Sequence, residues 1–475
     1  MSYVRGESRT QGTLFPTSLD ELVGDDHVCR VIEAFVEGLE LGEMGFSRAC
    51  PSATGRPPYD PADLLKLYIY GYLHQTRSSR RLERECARNV EVMWLLNRLA
   101  PDHKTIARFR QHNGEALRRT CALFVQLCRR AGLVSGEWVA IDGSKFQAVA
   151  SRKAVWSEER LAREQARLEA QIGDYLERLD AVDDSEGEET GDARAIRAAL
   201  ELLRAEQAEQ ARVQASLDEK GGRSLTATET DARPMRGTGP GYNVQSAVDA
   251  GHHLIVFHAV TDEATDNRSL RPLAEGAQRA LGSESMQVLA DAGYANGEQA
   301  AALEERGITP YVASNRAVNN QGNGKLFPAR AFRYEEASDT LECPAGKRLH
   351  RKQLQRRNHQ IIYSAREEDC AACALKAQCT DRKRRLVGRH VYEQALSGMA
   401  ERTTPSHMRR RASIVEHPFG TLKYQIFEKP RFLMRGLSGA GTEMALAVLA
   451  YNLKRAMKVL GNTELRQRLI TAAAA

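Results

Sequence analysis

The apolar positions in the first part of the chain recur at helical spacing. Val28, Ile32 and Phe35 form one such pattern, and a second runs through residues 64–72 after a break rich in proline and glycine at 51–61. Further short helical patterns, joined by turns, follow before residue 135. We therefore expect residues 1–135 to form an all-helical N-terminal domain.

From residue 136 onward the apolar pattern becomes typical of strands. Residues 139–141 form an apolar run, 242–260 have the pattern of a β-hairpin that turns at Asp249, and 286–290 and 308–312 predict two further strands. Helical patterns at 270–281 and 298–306 separate these strands. This order predicts an α/β fold with a mixed sheet, late parallel strands and flanking helices. A broadly apolar helix at 442–460 is expected to pack on the sheet.

A charged segment with a heptad-like pattern interrupts the sheet region. Leu168, Ile172, Tyr175 and Leu179 are spaced four and three residues apart, and an acidic break at 183–192 precedes a resumed pattern from Ile196. The pattern predicts an antiparallel helical hairpin inserted at 156–220. A spacer or a dimer contact is its expected role.

Composition is that of a globular protein. The 475 residues are 42% hydrophobic and 27% charged. An apolar run near the length of a membrane span is missing from the sequence, and the N-terminus lacks the apolar stretch of a signal peptide. We expect a cytoplasmic location.

The net charge of +6 is unevenly distributed along the chain. Residues 376–411 contain ten Lys or Arg and three acids, whereas residues 157–220 contain eighteen acids and nine bases. A basic region of this kind favours a polyanionic partner such as nucleic acid, although a solvated surface would have the same composition.

Three acids stand out as candidate metal ligands. Asp142 and Asp291 each follow an apolar strand pattern, in Ile-Asp-Gly and Ala-Asp-Ala-Gly, so both are expected at strand ends on neighbouring parallel strands. Glu416 lies far downstream. It shares a helix face with Lys423, seven residues later, if the helix continues through Pro418, which favours a helix start or a kink.

Other acids compete with these three for a ligand role. Asp249 lies at a predicted turn, and Asp262 and Asp266 precede a predicted helix, where they are expected to act as caps. Glu428 lies beyond a predicted helix end. We interpret all four as structural.

Nine cysteines divide into two groups. Cys29, Cys50, Cys86, Cys121 and Cys128 are scattered and expected to be buried. Four others cluster late in the chain, and four thiolates of this kind predict a structural zinc site, with a C-x-x-C redox pair as the alternative: Cys343, Cys370, Cys373 and Cys379. Basic residues lie in the loop expected between them, where they could contact phosphates: Lys347, Arg348, Arg351, Lys352, Arg356 and Arg357.

Arginines are frequent among the N-terminal helices, notably in Arg77-Ser-Ser-Arg-Arg-Leu-Glu. Short helices with tight turns and many arginines are typical of helix-turn-helix DNA readers. The alternative is a helical packing or dimerisation domain in which these arginines pair with local acids.

Taken together, several motifs resemble those of the DDE transposases of bacterial insertion sequences, in the branch with an N-terminal helical domain and a late zinc-knuckle insertion. The resemblance extends along nearly all of the chain. The motifs that carry it are Tyr59-Asp-Pro with Leu64-Leu-Lys-Leu-Tyr, Arg77-Ser-Ser-Arg-Arg-Leu-Glu, Pro101-Asp-His-Lys-Thr-Ile, Ile141-Asp-Gly, Ala290-Asp-Ala-Gly-Tyr, Cys343-Pro-Ala-Gly and Val415-Glu-His-Pro-Phe-Gly-Thr-Leu-Lys.

The resemblance implies a ribonuclease H-like catalytic core in which Asp142, Asp291 and Glu416 bind two Mg²⁺ ions. It further implies DNA as partner, contacted by Lys423, Lys145 and Arg409, and a homodimer in the active complex. The expected organisation is a helical domain at 1–135 that binds DNA ends, a core at 136–155, 221–315 and 396–460, the hairpin at 156–220, the zinc-knuckle insertion at 316–395 and a tail at 461–475.

One part of the family signature is missing. Related enzymes often carry Tyr and Arg seven and four residues before the glutamate, where this chain has Arg409 and Ala412. This difference affects how the helix that carries Glu416 binds the DNA end, and it does not affect the metal ligands.

The resemblance implies cleavage at the element ends and strand transfer into target DNA. One alternative is a domesticated, non-catalytic DNA-binding regulator that uses the same helical and zinc surfaces. A second is a nuclease that cuts DNA without joining it.

Overall fold

The computed structural model describes residues 18–50, 57–183, 191–220, 224–226, 228–313, 326–356 and 359–473. It has the mixed α/β class and the helical N-terminal region that the sequence predicts. In the described ranges, none of the helices is both long and apolar enough to cross a membrane.

In the described part of the N-terminal region, six α-helices are present. Asp60 and Asp102 cap the second and fifth by accepting hydrogen bonds from the backbone N–H of Ala62 and Lys104, which would otherwise lack partners. The helices are α1 (Val28–Glu37), α2 (Pro61–Leu73), α3 (Ser79–Arg88), α4 (Val90–Leu95), α5 (His103–His112) and α6 (Gly114–Arg130).

Among the described residues between 138 and 312, the chain forms eight strands: β1 (Trp138–Gln147), β2 (Val155–Ser157), β3 (Ser224–Thr226), β4 (Arg233–Met235), β5 (Gly239–Asp249), β6 (Ile255–Thr261), β7 (Met286–Ala290) and β8 (Ile308–Val312). Six of them form the main sheet in the order β4-β5-β1-β7-β8, with β6 also paired to β5. β1 is antiparallel to β5 and parallel to β7, and β7 is parallel to β8. The mixed sheet with late parallel strands is thereby confirmed.

The inserted hairpin consists of α7 (Glu158–Asp183) and α8 (Gly191–Lys220). β2 and β3 pair at its base. Leu161, near the start of α7, packs with Val213 and Leu217, near the end of α8, so the two helices are antiparallel as predicted. The helices α9 (Leu270–Leu281) and α10 (Gly297–Glu304) flank the main sheet.

A second, antiparallel sheet occupies the cysteine-containing region, where the sequence predicts a loop. Its strands are β9 (Arg333–Glu335), β10 (Thr340–Glu342), β11 (Arg348–Gln355), β12 (Gln360–Ser364) and β13 (Leu386–His390), with α11 (Glu367–Ala371) and α12 (Lys376–Cys379) beside them. The loop expectation is wrong because Arg348, Arg351 and Lys352 lie on β11; Arg357 lies outside the described residues.

The chain ends in four helices: α13 (Glu393–Arg402), α14 (Pro405–Thr421), α15 (Gly436–Leu460) and α16 (Asn462–Ala473). Pro418 lies inside α14, so the helix continues through this proline and the expected helix start there is wrong. A π-helical turn, Leu422–Ile426, follows directly.

α15 joins the N-terminal helices to the sheet. It packs against α2, α6 and β6, and its buried residues belong to the same hydrophobic core as residues of α1–α6 and of β1. At this interface Arg77 donates to Glu443 at 3.0 Å and to the carbonyl oxygens of Phe427 and Arg431, and the Glu443 side chain is fully buried. Arg77 therefore has a packing role.

Candidate active site

Asp142 lies in the middle of β1. Residues 139–141 are fully buried, and the strand continues to Gln147, so the expected strand end is wrong. Pairing with β7 extends only over residues 138–140, whereas pairing with β5 continues past Asp142, which is opposite Ser246. Asp142 thus marks the point where β1 loses one of its two neighbours and its side chain becomes accessible.

Asp291 directly follows the last residue of β7. Its carboxylate accepts a hydrogen bond from the Gly293 N–H at 2.8 Å and caps a short 3₁₀ turn. Because β1 and β7 are parallel and Ala140 is opposite Leu289, continuing the register places Asp142 beside Asp291. The predicted placement of these two acids on adjacent parallel strands is confirmed.

Arg411 from α14 lies between these two carboxylates. Its Nη2 is 2.8 Å from Asp142 Oδ1 and 3.5 Å from Asp291 Oδ2. The Arg411 side chain is only 15% exposed. The Arg411 guanidinium therefore bridges the two aspartates in this structure. A metal ion bound by both carboxylates would take the same position. Sequence reasoning missed Arg411, whose only signal is its place in the Arg409–Arg411 run before Glu416.

Burial raises the pKa of Asp142, and the nearby charges of Asp291 and Asp266 raise it further. The Arg411 guanidinium and the Gly143 N–H act in the opposite direction, because both stabilise the ionised carboxylate. The site therefore concentrates negative charge in a partly desolvated position, which favours the binding of a cation.

Asp266 also belongs to this site. Its Oδ1 accepts hydrogen bonds from Asn243 Nδ2 at 2.7 Å and Gln245 Nε2 at 2.6 Å, and Lys145 Nζ lies 3.5 Å away. The expectation that Asp262 and Asp266 cap a helix is wrong. Asp266 contacts side chains of the sheet, and Asp262 pairs with Arg233.

Asp249 has the predicted structural role, since its carboxylate accepts hydrogen bonds from the backbone N–H groups of residues 135, 136 and 251.

Glu416 is exposed on α14, which packs across β1, β5 and β7. Within the described ranges, the carboxylate oxygens of Glu416, Asp142 and Asp291 do not all lie within 4.8 Å of one another. Glu416 lies between two residues that reach the site, Arg411 five positions earlier and Lys423 seven positions later. The structure thus brings together Asp142 and Asp291, and holds the helix of Glu416 beside them.

The three candidate DNA-contacting residues differ in their surroundings. Lys423 is half-buried above the Phe146 ring, and this burial lowers its pKa while the charge of Asp142 opposes the shift. Lys145 is held beside Asp266, and Arg409 is exposed on α14. Two of these three cations therefore lie at the carboxylate site.

The four clustered cysteines line one cavity of about 20 Å³, together with Lys347, Asp369, Lys376 and Arg385. Burial raises the pKa of the Cys379 thiol. A set of four thiols around one small space has the chemistry that zinc prefers. In the described residues, no three of these four sulfur atoms lie within 4.8 Å of one another, so the thiols would have to move closer together to bind one ion. A group of three ligand atoms that meets this distance is found elsewhere, at His27, Cys29 and Glu91.

The scattered cysteines are buried at positions 29, 86, 121 and 128, as expected. Cys50 is exposed, so the expectation for this residue is wrong.

Comparisons with known proteins add family information. Residues 17–112 match a transposase domain (DUF772), and residues 223–453 match the transposase DDE domain. Asp291 and Glu416 lie inside the second match, while Asp142 lies between the two. None of the curated proteins matches the chain.

A solved structure, the cryo-EM structure of the piggyBac transposase synaptic complex with hairpin DNA, aligns with 94% of this chain and 79% of that chain. The identity is 8% and the TM-score is 0.32, a likeness too distant to support an argument about this chain. The two transposase matches together span the helical region and most of the sheet region, and the chain belongs to the DDE transposases.

Proposed function

We propose that the protein cleaves DNA at the ends of an insertion element and joins those ends to target DNA. Asp142, Asp291 and Glu416 would hold two Mg²⁺ ions in a ribonuclease H-like core. The observation that carries this proposal is the cation, Arg411, bound between Asp142 and Asp291. Carboxylate oxygens are the ligands that Mg²⁺ prefers, so the donor set fits the metal.

Each residue has a distinct task in this proposal. When bound, the two ions would activate a water or a 3′-hydroxyl and stabilise the oxygen that leaves. The sheet fixes Asp142 and Asp291, and Glu416 would complete the set from α14, which packs across β1, β5 and β7. Arg411 would have to leave the carboxylates, which frees a guanidinium to pair with a DNA phosphate.

The surrounding bases would then bind the DNA backbone. Lys423 lies near Asp142, with its ammonium nitrogen 5.7 Å from the centre of the Phe146 ring, and this ammonium would bind a phosphate next to the bond that is cut. Arg409 is exposed on the same helix. The helical N-terminal region would bind the element ends, and two copies of the chain would hold the two ends.

A non-catalytic DNA-binding regulator is the second candidate. The same ion pairs favour it, because Arg411 neutralises the two aspartates without any metal. A regulator has no need for a site that exchanges this arginine for metal ions, and this difference can be measured.

The test combines the protein, Mg²⁺, labelled DNA from both flanks of its gene and a supercoiled plasmid. We expect end-labelled DNA joined to the plasmid. Binding without cleavage would support the regulator, and cleavage without joining would indicate a nuclease.

Asp142→Asn should retain binding of the flanking DNA and reduce cleavage by about 10³-fold, because a lost metal ligand costs several kcal/mol of transition-state stabilisation. Asp262→Asn is the matched control, since Asp262 pairs with Arg233 outside the site. Full cleavage by Asp142→Asn would remove this residue from the mechanism.

A further inference from the structure

We propose that His27, Cys29 and Glu91 form a separate metal site, suited to Zn²⁺, among the N-terminal helices. This inference goes beyond the proposed function, because it uses none of the residues assigned to DNA cleavage. In the described residues, one ligand atom from each of the three lies within 4.8 Å of the other two. The ligands of one tetrahedral zinc ion lie roughly 3.3–3.8 Å apart, so these atoms need to approach one another by at most about 1.5 Å.

Two helix starts hold the three residues together. His27 is the N-cap of α1 and Cys29 follows two residues later, while Glu91 lies in the first turn of α4, which packs against α1. His27 Nδ1 accepts a hydrogen bond from the Cys29 N–H at 3.3 Å, and the other ring nitrogen, Nε2, lies 3.4 Å from Glu91 Oε1. The His27 side chain is 32% exposed and that of Glu91 is 37% exposed, so an ion can enter between them from solvent.

The Cys29 thiol differs from other buried thiols of this region. Its side chain is fully buried, yet the pKa of Cys29 is raised by the charges of Glu91 and Glu33 in addition to burial, whereas burial alone raises the pKa of Cys121. Among the described residues, the only hydrogen bond of the Cys29 thiol is a long one, 3.9 Å, to the Glu91 carbonyl oxygen. The sulfur therefore keeps its lone pairs beside an imidazole and a carboxylate, and zinc accepts all three kinds of ligand.

Glu91 is oriented by hydrogen bonds from outside this group. The Tyr70 hydroxyl donates to Glu91 Oε2 at 2.6 Å, and the Asn89 side-chain amide donates to the Tyr70 oxygen at 3.0 Å. Oε2 is thereby held in place, and Oε1 is the oxygen that faces His27. Carboxylates that bind metal ions are commonly fixed in this way by partners that do not touch the ion.

Zinc would balance the charge of this site. On binding, Cys29 would release its proton to solvent, and the Nε2 proton of His27 would be replaced by one on Nδ1, at the expense of the hydrogen bond from the Cys29 N–H. The thiolate and the Glu91 carboxylate then carry two negative charges, which match one divalent cation. In the described ranges, His27 is the only ion-pair partner of Glu91, so neither a lysine nor an arginine neutralises this carboxylate beforehand.

An ion at this place would join the first turns of α1 and α4 and so stabilise the helical region. The site offers three protein ligands and leaves one position to water. We expect it to bind zinc more weakly than four thiolates do, and therefore to fill when metal is added rather than to retain metal through purification.

The test is a titration of the purified full-length protein with Co²⁺, which absorbs strongly when a thiolate binds it. Cys29→Ser should lose one equivalent of bound Co²⁺ together with the corresponding thiolate absorption. Cys121→Ser removes another buried thiol of the helical region and should titrate like wild type. A Cys29→Ser titration identical to that of wild type would overturn the proposal. Asp142→Asn should keep the whole thiolate absorption, so failure of this site and failure of the proposed function are distinguishable.

His27→Asn separates metal binding from helix capping. The asparagine side-chain oxygen can accept the hydrogen bond from the Cys29 N–H, so the cap is retained while the imidazole ligand is lost. The affinity of this site for Co²⁺ should fall by at least about 10-fold, and the increase in Tm that Co²⁺ gives the wild-type protein should become smaller. Wild-type affinity in His27→Asn would contradict the site, even where Cys29→Ser fails to fold.

Discussion

Arg411 determines whether the carboxylates of Asp142 and Asp291 are paired with an arginine or available to a metal ion. Its guanidinium holds together two acids that would otherwise repel each other in a partly desolvated place. Metal ions and Arg411 would occupy the same space between Asp142 and Asp291. The arginine is therefore expected to compete with metal and to favour the ionised form of Asp142 by opposing the rise in its pKa.

Arg411→Ala should increase the affinity for Mn²⁺ by about 10-fold at neutral pH, since a competing ion pair worth roughly 1–2 kcal/mol is removed. The measurement is a Mn²⁺ titration of the variant beside Arg409→Ala, which removes an exposed arginine of the same helix. Equal affinity in wild type and Arg411→Ala would show that the arginine does not compete.

The raised pKa of Asp142 predicts that the affinity of the site for Mn²⁺ depends on pH. Burial raises this pKa, so the carboxyl is protonated at a higher pH than an ordinary aspartate, and metal must then displace a proton. Mn²⁺ affinity should fall as the pH drops through that raised pKa. Arg411→Ala should move the midpoint to still higher pH because Arg411 favours the ionised form. A profile that is flat down to the ordinary aspartate range would contradict this assignment.

Asp266 and Arg411 could not be assigned from the sequence, because the network that places them forms only in the tertiary structure. Asp266 precedes a helix, a context in which aspartate is usually a cap. Its partners on β5 are more than twenty residues away. By contrast, Asp142 and Asp291 follow apolar strand patterns that are visible in the sequence, so their neighbourhood could be predicted.

Elements with strong periodicity were predictable almost to the residue. The strand Ile308–Val312 and the helix Leu270–Leu281 match their predicted ranges, because apolar positions define them clearly. The second sheet was missed because β11 has one buried residue, Leu349, among charged and polar ones. A strand without an alternating apolar pattern gives no periodic signal.

The cysteine cavity beside this sheet gives a prediction at the element scale. Purified protein should contain about one zinc per chain, and Cys373→Ser should lose it, because a tetrahedral site needs all four thiolates. Cys50→Ser is the control, since Cys50 is exposed and outside the cluster. Metal content by plasma emission spectroscopy is the measurement. Full zinc content in Cys373→Ser would assign the metal elsewhere.

At the scale of the whole molecule, one buried ion pair connects the N-terminal helices to the segment after α14. Arg77 was a candidate DNA contact in the sequence, yet it is 9% exposed and bonded to Glu443, Phe427 and Arg431. Glu443 in turn accepts hydrogen bonds from the backbone of Leu433 and Met434. The pair holds the chain that follows the π-helical turn and so supports the position of α14.

Arg77→Ala should lower the free energy of unfolding by about 3–5 kcal/mol, because it leaves a fully buried carboxylate without its charge partner. Arg81→Ala, from the same motif, should change it by less than about 1 kcal/mol, since its contact with Glu428 is exposed. Urea unfolding measures both. Equal stability of the two variants would contradict the structural role of Arg77.

The central claim is that Asp142 and Asp291 form a cation site in which Arg411 gives way to metal. Anomalous diffraction at the manganese edge, from crystals of the protein soaked in Mn²⁺, tests it most directly. The account predicts a peak between the two carboxylates, with the Arg411 guanidinium displaced. A saturated crystal with Arg411 still bridging the aspartates and no peak between them would contradict it.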